Sequence, residues 1–260
     1  MPQALSPYYF LDKTVNVLLV DDDPGVIEVL RETFDMLRIF NINTASSTRQ
    51  ASALLNSPDR FHVCIFDLGL GDINNDEFYL IKNFYKHTSF IVLTGTASSK
   101  KGFLVGKYGA MDLLEKSGKI DLEELVKTVN HNALLNIINP LHSNDRRKSL
   151  STSTEVLFEK SPNYVTEWAI EMGVTDREIR HIWKKNLGAN AKIILFIFHL
   201  FRKAFGYNEL FLLNNGDDGG DGESLLVKNP LEYKKQEEYF HLHRSTILDY
   251  LAFGNIVNFL

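Results

Sequence analysis

Three consecutive carboxylates, Asp21, Asp22 and Asp23, close an apolar run in NVLLVDDDPG (16–25). Like charges set side by side repel one another unless a cation offsets them. Asp67 ends a second such run, HVCIFD; Thr94 ends FIVLT, and Glu115-Lys116 ends MDLLEK. A hard divalent cation, above all Mg²⁺, takes oxygen ligands from one or two carboxylates, waters and a phosphate oxygen. The phosphate side of such a site needs a hydroxyl and a positive charge, which Thr94 and Lys116 supply. Asp67 could then be the nucleophile, since carboxylates accept phosphoryl groups in covalent catalysis. Transfer of that kind depends on positioning and charge neutralisation, which the metal and Lys116 would provide.

The elements that bring these residues together follow from periodicity. Val15–Val20, Ile42–Ala45, His62–Asp67, Phe90–Thr94 and Met111–Leu114 are strand-like. Between and after them, Pro24–Phe40, Arg49–Asn56, Glu77–Tyr85, Lys100–Lys107 and Leu122–Ile138 show helical spacing. Continuous apolar strands alternating with amphipathic helices predict an α/β fold: a (βα)5 doubly wound parallel sheet covered on both faces. In such a sheet ligands bind beyond the carboxyl ends of the strands. The topology alone therefore gathers Asp21, Asp22, Asp67, Thr94 and Lys116 at one edge.

Length and composition are those of a globular chain with one large or two small domains: 260 residues, 44% hydrophobic, 23% charged, net charge −5. The single cysteine, Cys64, lies in an apolar run, which excludes an intramolecular disulfide and predicts a buried, inert thiol. The N-terminal MPQALSPYYFLDK has no basic segment followed by a long apolar one, so no signal peptide is read. The apolar run Ile193–Phe198 falls far short of the roughly 20 residues that span a bilayer. A cytoplasmic protein without a membrane partner is the expectation.

The segments VLLVDDDP, VCIFDLGLGD, IVLTGTAS and GAMDLLEKS together resemble the receiver domain of two-component response regulators, over residues 14–137. That resemblance implies that Asp67 is the phosphoacceptor, charged by a sensor histidine kinase or phosphotransfer protein. It implies that Asp21 and Asp22 are the acidic pair of a Mg²⁺ site, with Asp67 and the backbone carbonyl of Gly69 as further ligands. Thr94 is then the switch hydroxyl that follows the phosphoryl group, Lys116 the lysine that pairs with it, and Asp23 a solvent-facing neighbour. The sequence departs from the family pattern at Leu113, where an aromatic switch residue is usual, and at Ser117 and Gly71, where proline is usual. Asn74–Glu77 stands in place of the usual Asp-Gly. None of these removes a metal or phosphate ligand.

Residues 1–13 read as an N-terminal tail and 138–155, polar and serine-rich, as a linker. Residues 156–212 read as an all-α helix-turn-helix output domain. Ser161-Pro162 reads as an N-cap and first-turn proline, Gly173 as the turn, and Thr175 with Glu178 as a capping box opening the second helix. Ile179, Ile182 and Trp183 face inward. Arg177, Arg180, His181, Lys184 and Lys185 lie on or near the opposite face, as DNA-contacting residues of a recognition helix would. The stretch resembles the first helix-turn-helix of AraC-type transcription factors, with Ala191 where that family usually has proline and no recognisable second helix-turn-helix. Residues 213–230 read as a Gly/Asp-rich loop and 231–260 as a C-terminal helical extension, packed on the output domain or forming a dimer contact.

The combined expectation is a phosphorylation-dependent transcription regulator, a homodimer on DNA because one reading head needs a second half-site, and not a metabolic enzyme, although the receiver assists its own phosphorylation and dephosphorylation. The alternatives are a regulator whose helical output binds a protein partner, and one that acts independently of phosphorylation. A Mg²⁺-dependent phosphatase would need a general acid two residues after Asp67, where this chain has Gly69.

Overall fold

The computed structural model describes residues 8–70, 78–95, 99–116, 120–139, 148–216, 230–244 and 247. Five parallel strands form one sheet: β1 (Val15–Val20), β2 (Phe40–Ala45), β3 (Val63–Asp67), β4 (Ser89–Thr94) and β5 (Asp112–Glu115), in the spatial order β2-β1-β3-β4-β5. Helices α1 (Pro24–Met36), α2 (Thr48–Leu55), α3 (Tyr79–Phe84), α4 (Ser99–Lys107) and α5 (Leu122–Ile138) alternate with them. Strand side chains point to opposite faces in turn. Val17, Leu19, Val63, Ile65, Ile91 and Leu93 therefore join one core with α1 and α5, while Leu18, Val20, Cys64, Phe66, Phe90 and Val92 join the other with α2, α3 and α4. This is the doubly wound sheet the alternating periods predict.

The first helix is shorter than its apolar spacing suggests. It ends at Met36, and Arg38 turns the chain at φ 52° so that Phe40 already pairs with Val15 in β2. Arg38 is held there by Asp12 at 2.7 Å and by its carbonyl, which accepts from Lys13 N–H at 2.9 Å.

The second half is helical: α6 (Lys148–Lys160), α7 (Val165–Glu171), α8 (Asp176–Leu187), α9 (Ala191–Gly216) and α10 (Pro230–Leu242). Four sequence expectations change. Residues 148–155, read as linker, are the first half of α6, whose Leu150, Ser153, Thr154 and Leu157 are buried on one face. Ser161 does not cap α7; it follows the end of α6 at φ 49°, its N–H donating to Leu157 O at 3.0 Å, and α7 starts after Tyr164. Residues 8–13 are no free tail: Leu11 is buried, and Phe10 packs on Phe240 of α10 with ring centroids 5.3 Å apart. Of the stretch 213–230 read as a Gly/Asp-rich loop, residues 213–216 continue α9 and Pro230 opens α10. Residues 217–229 and 248–260 lie outside the described residues, as do Gly71, Asn74–Glu77 and Ser117.

The two halves share one apolar core. It runs from the β1 and α5 side chains into Leu157, Trp168, Trp183, Ile194, Phe198 and Phe201. Phe40 of β2 stacks on Phe205 of α9 at 6.0 Å with rings 14° from parallel, and Phe158 of α6 meets both His131 of α5 and Phe198 of α9 edge-on. Among the described residues no helix is long and apolar enough to cross a membrane.

Candidate functional site

The strand order reverses direction between β1 and β3, and a crevice opens beyond their carboxyl ends. The carboxylates follow immediately. Asp21 continues β1, its N–H donating to Ala45 O at 3.1 Å, and Asp67 ends β3 opposite Leu93. One oxygen from each of Asp21, Asp22 and Asp67 lies within 4.8 Å of the others. Asp21 is buried, Asp67 half-buried and Asp22 exposed. The cluster thus combines one sequestered carboxylate with two that solvent reaches, a donor set of hard oxygens that fits Mg²⁺.

The cation facing this cluster is Lys116. Its backbone N–H donates to Thr94 O at 2.8 Å, which ties the end of β5 to the end of β4. Its ammonium lies 2.5 Å from Asp21 Oδ2 and 3.1 Å from Asp67 Oδ2. Burial works to lower the lysine pKa, but the hydrogen bonds to Asp21 and Asp67 outweigh it, and the net direction is up. Lys116 is therefore held as a cation beside the Asp67 carboxylate. Thr94 is buried beside it, 3% exposed, at the end of β4.

The three aspartates have separate roles. Asp21 pairs with Lys116 and accepts from Asp23 N–H at 3.0 Å, which fixes the turn out of β1. Asp23 is more than a solvent-facing neighbour: it is the N-cap of α1, accepting from Gly25 N–H at 2.8 Å with Pro24 in the first turn. The signal was in the sequence, as Asp-Pro at a helix start. Asp22 is left exposed on the rim. Gly69 donates its N–H to Asp67 Oδ1 at 3.1 Å, and a Cβ there would sit 3.1 Å from Asp67 Oδ2, so a side chain would crowd that carboxylate. Leu113 pairs with Val92 and rests partly buried against α4 near Gly102. Burial pushes the Cys64 thiol pKa far up and leaves it inert.

The second cluster of expected site residues lies on α8. The turn is as read: Gly173 at φ 67°, then Thr175 and Glu178 forming both bonds of a capping box, and Gly188 ending the helix at φ 66°. Ile179 and Trp183 are buried, while Arg177, His181, Lys184 and Lys185 are exposed. Arg180 is half-buried and pairs with Asp176 at 2.9 Å. Lys184 reaches the carbonyl of Gly188 at 3.2 Å. The support beneath this helix comes from α6. Buried Ser153 accepts from both indoles, its carbonyl from Trp168 Nε1–H at 3.1 Å and its hydroxyl from Trp183 Nε1–H at 3.0 Å. The i, i+3, i+4, i+7 spacing of Leu150, Ser153, Thr154 and Leu157 could have revealed that helix, but two of those positions are polar.

Residues 17–130 match the family model of the response regulator receiver domain. The acidic cluster of Asp21, Asp22 and Asp67 lies within that matched part, which is under half of the chain. Among solved structures the chain is similar to the chemotaxis response regulator CheY4 of Vibrio cholerae, at 27% identity over 45% of this chain and 98% of that one, TM-score 0.40. It is also similar to the non-phosphorylated HemR receiver domain from Leptospira biflexa, at 26% identity over 46% and 94%, TM-score 0.41. A third is the signal receiver domain of a putative Luxo repressor protein from Vibrio parahaemolyticus, at 23% identity over 50% and 98%, TM-score 0.43. No curated protein matches the chain.

Proposed function

We propose that this chain is a response regulator in which Asp67 accepts a phosphoryl group from a histidine kinase or phosphotransfer protein. The observation that carries the reading is Lys116, whose ammonium bridges Asp21 and Asp67 at the carboxyl edge of the sheet. A carboxylate oxygen of Asp67 forms a bond to phosphorus as the P–N bond of the donor phosphohistidine breaks, and the departing imidazole takes up a proton. Asp21, Asp22, Asp67 and the carbonyl of Gly69 would hold Mg²⁺, which neutralises charge on the transferring group. Lys116 supplies the protein's own positive charge, and Thr94 offers a hydroxyl to the new phosphoryl oxygens. The chain's catalytic role ends with its own phosphorylation and dephosphorylation. Asp67→Asn abolishes labelling by a small phosphodonor; unchanged labelling would move the acceptor elsewhere.

Phosphorylation adds about −1.5 to −2 charges and three acceptor oxygens at this edge. The output it governs is transcription, through DNA contacts from Arg177 and His181 near the start of α8 and from Lys184 and Lys185 near its end, with Arg180 held back by Asp176. A single reading head discriminates weakly, so a homodimer on two half-sites suits it. Sedimentation velocity with beryllofluoride and Mg²⁺ then shows monomer becoming dimer, and an unchanged coefficient would refute a phosphorylation-driven dimer. A protein-binding output is the second reading, favoured by Tyr164 and Ile170, which stand 71% and 76% exposed on and beside α7.

A further inference from the structure

Helix α5 carries a row of buried asparagines that is unusual for a helix facing an apolar core. Asn132, Asn136 and Asn139 are each 2% exposed or less. Asn132 Nδ2–H donates to Asp112 Oδ2, at the start of β5, at 2.6 Å. Asn136 Nδ2–H donates to Ser89 Oγ, at the start of β4, at 3.3 Å, and its backbone carbonyl accepts from the Arg60 guanidinium, ahead of β3, at 2.7 Å. These are the strands whose far ends carry Lys116, Thr94 and Asp67. At the C-terminal cap of α5, three residues beyond Asn136, Asn139 Nδ2–H donates to Thr154 Oγ1 of α6 at 3.2 Å, and that hydroxyl donates to Leu150 O at 2.9 Å. The preceding residue, Ser153, holds both indoles under α7 and α8.

We propose that these asparagines are positioning residues that transmit the state of the Asp67 pocket through α5 to the helix-turn-helix. The proposal rests on Asp67 being the phosphoacceptor. Apolar side chains slide and repack between near-equal arrangements, whereas buried hydrogen bonds fix one register, because an alternative register leaves polar groups unsatisfied. When β4 and β5 shift as Thr94 and Lys116 close on a phosphoryl group, Asn136 and Asn132 carry the shift into α5. Asn139 hands it to α6. The route bypasses Leu113, where the sequence lacks the aromatic side chain usual in receivers.

The chain reports on itself, because both of its tryptophans, Trp168 and Trp183, lie on the output side of this route. The full chain is titrated with beryllofluoride and Mg²⁺ while fluorine NMR follows pocket occupancy and tryptophan emission follows the output helices. In the wild type, emission changes in step with occupancy. In Asn139→Ala, and in Thr154→Val, which keeps the side-chain size, occupancy persists and the emission change is lost. A merely structural role would lower stability and leave the ligand-dependent change in place. Emission that still tracks occupancy in Thr154→Val overturns the route in favour of apolar contacts such as Phe40 on Phe205. Occupancy without any emission change in the wild type overturns the transmission alone. No occupancy in the wild type overturns the phosphoacceptor reading, and the route with it.

Discussion

Replacing Lys116 with methionine removes the cation that faces Asp21, Asp22 and Asp67 while keeping a side chain of similar length. Its ammonium is 2.5 Å from Asp21 and 3.1 Å from Asp67, and the side chains of the three are 3% to 15% exposed. Removing one partner of a buried ion pair costs about 3–5 kcal/mol. Access of water through Asp22 and Asp67 puts this case at the low end, about 3 kcal/mol, or about 6–12 °C in Tm for a chain of this size. Magnesium then acts in opposite proportion. The variant site has lost a competing cation, so Mg²⁺ binds it more tightly, and metal at about 100 times its Kd restores about 2.7 kcal/mol.

The pH dependence has a definite sign. The folded pKa of Lys116 lies above its ordinary 10.5. Its contribution is complete below that value and is lost as pH rises through the folded pKa, so the wild type has an alkaline limb that Lys116→Met lacks. Thermal melts across pH, with and without Mg²⁺, read both effects. A variant that melts with the wild type in the absence of metal, and gains no more than the wild type from Mg²⁺, would refute the claim that Lys116 neutralises this cluster.

Other perturbations separate the support of the output helices from their proposed work. Ser153→Ala leaves the buried Trp183 indole N–H without its acceptor but keeps the backbone carbonyl that serves Trp168. It costs about 1–3 kcal/mol in urea unfolding followed by tryptophan emission, and a loss near zero would show that Ser153 does not anchor α8. Lys184→Gln with Lys185→Gln weakens DNA retention and lowers the slope of log K against log salt by about 1 per contact removed. Indifference of both affinity and slope would turn the reading towards a protein partner for the exposed Tyr164 and Ile170.

Much of the site was legible because its logic is local or topological. An apolar run ending in a carboxylate is a buried strand whose last side chain emerges at the sheet edge, and parallel strands put all such ends on one side. Asp21, Asp67, Thr94 and Lys116 could therefore be placed together before any contact was known. The capping box of Thr175 and Glu178 was legible for the same reason, since both bonds close within three residues. Local chemistry misled where a turn interrupted a periodic pattern. The apolar spacing of α1 ran on to Phe40, but the turn at Arg38 depends on Asp12, which is far away in sequence. Polar residues at 148–155 looked like linker because a hydroxyl is apolar in function only when buried partners satisfy it.

The sequence by itself determined the alternating elements, the acidic edge and the capped helix pair, because hydrophobic period, backbone preference and side-chain charge act within a few residues. Only the tertiary structure decided which groups meet across the chain. It chose Lys116 as the partner of Asp21, 95 residues away. It set Phe205 on Phe40, and it joined Asn139 to Thr154 and both indoles to Ser153. These contacts are short-ranged in space and carry no periodic trace in the chain, so they become readable only once packing has fixed where each helix lies.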